Sequence, residues 1–87
     1  MIKHFKLLDS VAILKPVSHT RLTLVEPEYG SISSLPVGLV GTIVEVYDTG
    51  NECQYLVEFA DNQGIEYAMA ILKADEILVL HYELAVA

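Results

Sequence analysis

The side chains that could act as metal ligands or thiol nucleophiles are three histidines and one cysteine, and they are scattered along the chain. His4, His19 and His81 have no second His, Asp or Glu at the spacing that brings two ligands together on a helix or hairpin. Cys53 is the only cysteine, so the chain has no intrachain disulfide and no paired-thiol zinc motif. The pattern predicts no metal site and no cofactor.

Oxygen nucleophiles and acid–base pairs are equally sparse. Ser10 follows Asp9, but the surrounding residues do not form a nucleophile elbow and include no base that would activate the hydroxyl. Glu26 and Glu28 flank Pro27 as an acidic pair, which solvated loop charge explains without catalysis. No glycine-rich phosphate-binding loop precedes a predicted helix. We therefore expect a protein that is not an enzyme.

Charge is divided unevenly along the 87 residues. Four of the five basic residues and one of the twelve acids lie in the first 21 positions, which gives this segment a net charge of +3. From Leu22 onward eleven acids are opposed by Lys73 alone, a net charge of −10. This charge repels nucleic acid, whose binding depends on Lys and Arg, but attracts a basic protein partner. Alternatively, the acidic loops only keep an apolar domain soluble.

The composition predicts a small domain with more apolar side chains than its core needs. A single domain spanning residues 1–87 would bury only about 60–65% of its unfolded surface. Hydrophobic residues make up 53% of the chain, and the mean hydropathy is +0.43, so we expect part of the surplus to lie in an interface. No run approaches the roughly 18 uncharged apolar residues of a membrane helix, and Asp9 interrupts a signal-peptide core. We expect a cytoplasmic protein that makes no membrane contact.

The first third of the chain predicts one strand followed by a long loop. Residues 10–15, SVAILK, form a β-branched and apolar run that ends at Pro16. Residues 17–34 contain proline, glycine and four serines and predict the loop, with a short strand within RLTLV at 21–25. A loop of this length in a small domain usually has either a binding role or its own packing, and it is the chief candidate for specificity toward a partner. The candidate partner-binding residues in it are Arg21, Glu26, Glu28 and Tyr29.

The segment 35–80 predicts four more strands separated by turns. The first of them begins at Gly41, and period-two alternation puts Thr42, Val44 and Val46 on one face.

Two further strands are predicted at residues 55–59 and 65–72. The turn at 61–64, DNQG, suits a hairpin connection closed by a left-handed glycine. In the strand at 65–72, Met69 and Ile71 alternate with two alanines and a leucine. Residues 73–75 predict one helical turn before the last strand.

The last strand is predicted to start near Glu76 and to extend through residues 81–87. Leu80, Tyr82 and Leu84 share one of its faces and are candidate partner-binding residues. Since no later strand covers it, we expect an exposed edge that pairs with a second copy or with residues 5–8. The competing interpretation is an amphipathic helix over 65–86, but that helix would be apolar nearly all round, which a small domain cannot bury.

The segments DSVAILK, LPVGLVGTIVEVY, YLVEFAD and AILKADEILVL, in this order, resemble a bacterial family of small proteins that is abundant in cyanobacteria, the domain of unknown function 4926. The likeness covers residues 7–80 and is most specific at Pro36, Gly38, Gly41 and Thr42, together with LKAD at 72–75. It implies an all-β fold, an SH3-like barrel, which in this chain would have five to six antiparallel strands; the long loop after strand 1 departs from the short connection of most relatives. It implies no catalytic residue.

These patterns favour a non-catalytic protein–protein interaction module. In a more specific version, the chain is the acidic, neutralising partner of a basic protein, as in antitoxin or immunity pairs. The alternative is a structural small subunit or a homo-oligomer that self-assembles through the C-terminal edge strand.

Overall fold

A computed structural model describes residues 5–26 and 30–80 of the chain. No α-helix occurs in these ranges, so the strand interpretation of residues 65–80 is confirmed. The strands in chain order are β1 (Ser10–Ile13), β2 (Val17–Ser18), β3 (Leu22–Leu24), β4 (Ser34–Leu35), β5 (Val40–Asp48), β6 (Cys53–Ala60), β7 (Glu66–Lys73) and β8 (Ile77–Leu80). Single 3₁₀ turns at His19–Arg21 and Ala74–Glu76 precede β3 and β8.

Six strands form one antiparallel sheet in the order β3, β7, β6, β5, β1, β8, and β2 pairs with β4 in a separate two-stranded sheet. The predicted all-β class with antiparallel strands is confirmed. The predicted barrel closure is not observed, because β3 and β8 remain the two edges of an open sheet. Both edges are short, at three and four residues, and do not pair with each other in the described part of the chain.

The core lies on the inner side of this sheet, where alternate residues of every long strand are buried. Its members are Phe5, Val11, Ile13, Val17, Leu35, Ile43, Tyr55, Val57, Phe59, Tyr67, Ala68, Ala70, Leu72 and Ile77. Each large apolar side chain that leaves water contributes about 1.5–3 kcal/mol, so this cluster is the main source of stability. Phe5 packs edge-on against Tyr55 with ring centroids 5.1 Å apart, and the Leu8 N–H donates to the Ile43 carbonyl at 2.7 Å. Residues 5–8 thus run along β5 and the core.

Strand β5 pairs with β1 at its beginning and with β6 over the rest of its length, and Gly41 lies where the pairing changes. Residues 40–42 pair with β1, and residues 42–48 pair with β6. A Cβ at Gly41 would lie 2.6 Å from Cγ1 of Val57 and 2.7 Å from the carbonyl oxygen of Glu58. Only glycine allows β5 to approach β6 this closely.

A β-bulge follows directly after this crossing. The register of β5 on β6 shifts between Ile43 and Glu45, which leaves Val44 as the extra residue. Thr42 therefore lies opposite Glu58 on the outer face, whereas Val46 lies opposite buried Tyr55 on the inner face. The predicted common face of Thr42, Val44 and Val46 is wrong, because the extra residue reverses the alternation.

The long loop after β1 is tied down by a short ladder. Val17 lies opposite Leu35, and both are buried, so the beginning and end of the loop meet over the core. The predicted short strand is present as β3, which pairs with β7.

The C-terminal region follows the prediction as far as Leu80. The predicted helical turn is the 3₁₀ turn Ala74–Glu76, and β8 follows it directly. The predicted extension of the last strand over 81–87 lies outside the described residues. In the described ranges, no helix is long and apolar enough to cross a membrane.

Replacing Gly41 by alanine tests the close approach of β5 to β6. The added methyl would meet Val57, the Glu58 carbonyl and Phe59 within 3 Å, and we expect a loss of about 3 kcal/mol in the free energy of unfolding measured by urea titration. Gly38→Ala is the control, because Gly38 has φ of 90° but open space around it, so its cost is about 1–2 kcal/mol. If Gly41→Ala proved as stable as Gly38→Ala, the close approach of β5 to β6 at Gly41 would be contradicted.

Candidate functional site

The outer surface of β5, β6 and β7 combines carboxylates with apolar side chains, of which Ile71 is exposed and Leu56 and Met69 are partly exposed. Across the strands, Glu45 lies opposite Leu56, which lies opposite Ile71, and in the neighbouring row Glu58 lies opposite Met69. Side chains of opposite residues share a face, so these rows form one continuous surface. We call it the acidic face, and it consists of Glu45, Leu56, Glu58, Glu66, Met69 and Ile71.

Strand β7 buries Tyr67 and Leu72 in the core but leaves Ile71 exposed and Met69 partly exposed on its outer face. Ala68 and Ala70 are buried because they lie opposite Phe59 and Val57, whose bulk fills the space between the layers. Ile71 is 46% exposed as a consequence, although it is one of the most hydrophobic residues in the strand. Exposed aliphatic side chains grouped on one surface are typical of interaction sites.

The carboxylates of the acidic face are not neutralised by any described basic side chain. Partial burial raises the pKa of Glu66, and the neighbouring Glu58 carboxylate raises it further. The ion pairs among residues 5–26 and 30–80 involve Glu76 and Glu52 instead. The acidic face thus carries uncompensated negative charge beside apolar surface, an arrangement that a cationic partner would relieve.

Arg21, predicted to bind a partner, forms a two-point ion pair with Glu76. Its Nη1 donates to Oε2 at 2.6 Å and its Nη2 to Oε1 at 2.9 Å, while Nη2 also donates to the Ile71 carbonyl at 3.0 Å. Glu76 Oε1 accepts a further bond from the Lys73 backbone N–H at 3.0 Å. The hydrogen bonds from Arg21 hold the pKa of Glu76 at about 2. Arg21 therefore connects the start of β3 to the turn before β8.

Of the other predicted partner-binding residues, Glu26 and Leu80 fall within the described ranges. Glu26 is half-buried beyond β3, and Leu80 is partly exposed at the end of β8. Glu28, Tyr29, Tyr82 and Leu84 lie outside the described residues. Arg21 precedes β3, Glu26 follows it and Leu80 ends β8, the strand at the other edge of the sheet.

The residues considered for catalysis are likewise apart. The His19 ring nitrogen Nδ1 lies 3.3 Å from the Ser33 carbonyl oxygen, and Ser10 lies on β1 opposite Thr42. Cys53 is a free thiol at the start of β6. In the described ranges, no three His, Cys, Asp or Glu side chains converge as metal ligands. His4 and His81 lie outside these ranges.

A cavity of about 490 Å³ lies between the long loop and the turn that joins β6 to β7. Its walls are mainly apolar, with Leu35, Leu39 and Tyr67 among them, and Asp61 and Asn62 stand on one side. Asp61 Oδ1 accepts the backbone N–H of Gln63 at 2.9 Å and that of Ile65 at 3.0 Å. This carboxylate oxygen therefore holds the turn in shape.

A second outer surface, on β5, β1 and β8, has no charged side chain. Val40, Ala12 and Leu78 lie opposite one another in one row, and Thr42, Ser10 and Leu80 form the next. Val40 is 49% exposed and Leu78 is 51% exposed. We call these two rows the neutral rows. Sequence reasoning identified Leu80 but missed Leu78 and Val40, although period-two alternation in ILVL gives the signal.

Comparison with known proteins identifies a family. A family model described as a domain of unknown function (DUF4926) matches residues 7–79, nearly the whole chain. No curated protein and no solved structure matches the chain.

Replacing Glu76 by glutamine tests the ion pair with Arg21. Because the folded state lowers the pKa of Glu76 from 4.5 to about 2, the pair stabilises the protein fully above the ordinary carboxyl range and loses its effect as the pH falls toward 2. At pH 7 we expect the variant to lose about 1–2 kcal/mol in the free energy of unfolding, allowing for the partial exposure of the pair.

The measurement is urea unfolding of both proteins between pH 7 and pH 3, where the difference should shrink as the pH falls. Glu52→Gln is the control, since Glu52 is half-exposed and 3.9 Å from Lys73, and it should cost less than about 0.5 kcal/mol. A Glu76→Gln deficit that does not change with pH would show that the charge is irrelevant.

Proposed function

We propose that this chain, which belongs to the family of domain of unknown function DUF4926, is a non-catalytic module that binds a basic protein. The observation that carries the proposal is the acidic face, where Glu45, Glu58 and Glu66 stand beside exposed Ile71 and the partly exposed Leu56 and Met69, without a described counter-ion. A partner that brings Lys or Arg next to apolar residues would bury the aliphatic surface and neutralise the carboxylates together.

The non-catalytic character is supported by the roles of the polar groups that are available for chemistry. Arg21 and Glu76 bind each other, and Asp61 holds a turn. The free Cys53 thiol fits a reducing compartment, and we propose that the protein works in the cytoplasm.

In the more specific form of the proposal, the chain neutralises a basic protein, as an antitoxin or immunity protein does. Its support is charge: the chain has a net charge of −7, and its acids are concentrated after residue 21. Long-range attraction to a basic partner would accelerate association by about tenfold or more at low salt, a useful property in an inhibitor that must reach its target quickly.

The test compares two triple variants that lose the same charge. Glu45→Gln, Glu58→Gln and Glu66→Gln neutralise the acidic face, whereas Glu26→Gln, Glu52→Gln and Asp75→Asn remove three acids elsewhere. A basic protein captured by the wild-type chain from its source organism at low salt is purified, and its dissociation constant for each variant is measured by calorimetry.

We expect the acidic-face variant to bind at least about tenfold more weakly, a loss of about 1.4 kcal/mol, and the control variant to change by less than about threefold. Raising the salt concentration should weaken wild-type binding strongly. Capture of no basic protein at low salt would contradict the proposed function. If both triple variants bound the basic protein equally weakly, the acidic face would not be the binding surface.

A second candidate function, self-assembly as a structural subunit, is favoured by the neutral rows at the β8 edge. Two copies with a net charge of −7 each repel one another, so a homomeric contact is most favourable where the surface has no acid. Leu78 and Val40 provide such a surface, and both are about half exposed.

A further inference from the structure

Among the strands of residues 5–26 and 30–80, β8 pairs with β1 alone, and its other side presents a defined set of backbone hydrogen-bonding groups. Both the N–H and the carbonyl of Ile13 bond toward β5, while the Leu14 N–H bonds to the Glu76 carbonyl at 2.8 Å. Because alternate residues of an antiparallel strand bond to opposite neighbours, the backbone of Glu76, Leu78 and Leu80 faces β1. The N–H and carbonyl groups of Ile77 and Val79 therefore point away from the sheet.

Within its four described residues, β8 lacks the sequence features that normally block strand addition. The four residues of β8 include no proline, no charge and no glycine, and no β-bulge interrupts the pairing of β8 with β1. The opposite edge, β3, is only three residues long and is flanked by Arg21, which holds Glu76 and the Ile71 carbonyl. Of the two edges of the described sheet, β8 is the one suited to pairing.

We infer that two copies of the chain pair through β8, antiparallel, around a two-fold axis that passes Leu78. The inference rests on the second candidate function and gives it a geometry. In this arrangement Ile77 lies opposite Val79 of the second copy, and Val79 lies opposite Ile77 of the second copy. Each of these two pairs forms two N–H···O bonds, so four bonds join the outward-pointing groups. Leu78 lies opposite Leu78 of the second copy, on the outer face of the sheet.

The requirement that outer faces match restricts the position of the axis. Opposite residues in an antiparallel pair point to the same side of a sheet, and a two-fold axis perpendicular to the sheet keeps outer faces outer. The axis must therefore pass a residue and not the midpoint between two residues. An axis at Leu78 uses only the described residues of β8 and satisfies Ile77 and Val79 together.

A second copy fits this edge better than a basic protein does, because no carboxylate lies in the neutral rows to attract Lys or Arg. Joining the copies at Leu78 places the two uncharged surfaces side by side in one continuous twelve-stranded sheet, since each copy contributes its six strands. The carboxylates of the acidic faces lie on β5, β6 and β7, and β1 separates these strands from β8 at the joint, which keeps the repulsion between the copies small.

Cysteine cross-linking tests this register. In a Cys53→Ser background, Leu78→Cys places two thiols across the axis, at a non-hydrogen-bonded pair whose Cα atoms are about 4.5 Å apart and within the range that a disulfide accepts. With oxidised glutathione as oxidant, we expect most of the chain to become a disulfide-linked dimer on a non-reducing gel. Ile71→Cys in the same background is the matched control, since Ile71 is 46% exposed and Leu78 is 51% exposed. The control should remain mainly monomeric.

Light scattering on the unmodified protein over a range of concentrations separates the possible failures. A dimeric mass without the Leu78 cross-link would overturn this register and leave self-assembly standing. A monomeric mass at every concentration would overturn both the register and self-assembly. Equal cross-linking of the Leu78→Cys and Ile71→Cys variants would indicate random collision and would also overturn the register. As a second variant, Leu78→Lys should raise the dissociation constant of the dimer at least about tenfold, because it places two like charges at the axis.

Discussion

The fold depends on the close approach of β5 to β6 at Gly41. A Cβ there would overlap Val57 and the Glu58 carbonyl, so the missing side chain lets a single strand pair with β1 in its first part and with β6 in the rest. The bulge at Val44 then reverses which residues face outward. The outer side of the sheet thus carries two surfaces with different chemistry, the neutral rows on β8, β1 and the start of β5, and the acidic face on the rest of β5 and on β6 and β7.

The Arg21–Glu76 pair accounts for how an open sheet keeps its two edges in place. Arg21 immediately precedes β3 and Glu76 immediately precedes β8, so a side-chain contact spans the gap that backbone pairing leaves open. Glu76 also accepts the Lys73 N–H through its side chain and the Leu14 N–H through its carbonyl. One carboxylate residue thus joins the long loop, the end of β7 and the end of β1. Arg21, the single arginine of the chain, therefore has a structural role through its ion pair with Glu76.

Much of the fold could be predicted from the sequence because strand, turn and glycine signals are local. The strands at 53–60 and 66–73, the turn at 74–76 and the short strand within the long loop all have such signals. The bulge at Val44 has none, since it depends on the register against β6. The pairing of Arg21 with Glu76 joins residues far apart in the chain and follows only from the assembled sheet.

The candidate sites were harder to predict for the same reason. Alternation in residues 65–72 gave two faces but could not say that the alanines face inward, because this depends on the bulk of Phe59 and Val57 opposite them. The acidic face exists only after β5, β6 and β7 align. Its role as the surface that receives a basic partner is the central claim about function.

That claim is tested most directly by nuclear magnetic resonance of the ¹⁵N-labelled chain titrated with a short peptide of alternating lysine and leucine. The largest amide shift changes should fall on Glu45, Leu56, Glu58 and Ile71, with small changes at Val40 and Leu78, and they should fade at high salt. A peptide of alternating glutamate and leucine should cause no such changes. Shift changes of the same size with both peptides, or largest changes away from the acidic face, would contradict the account.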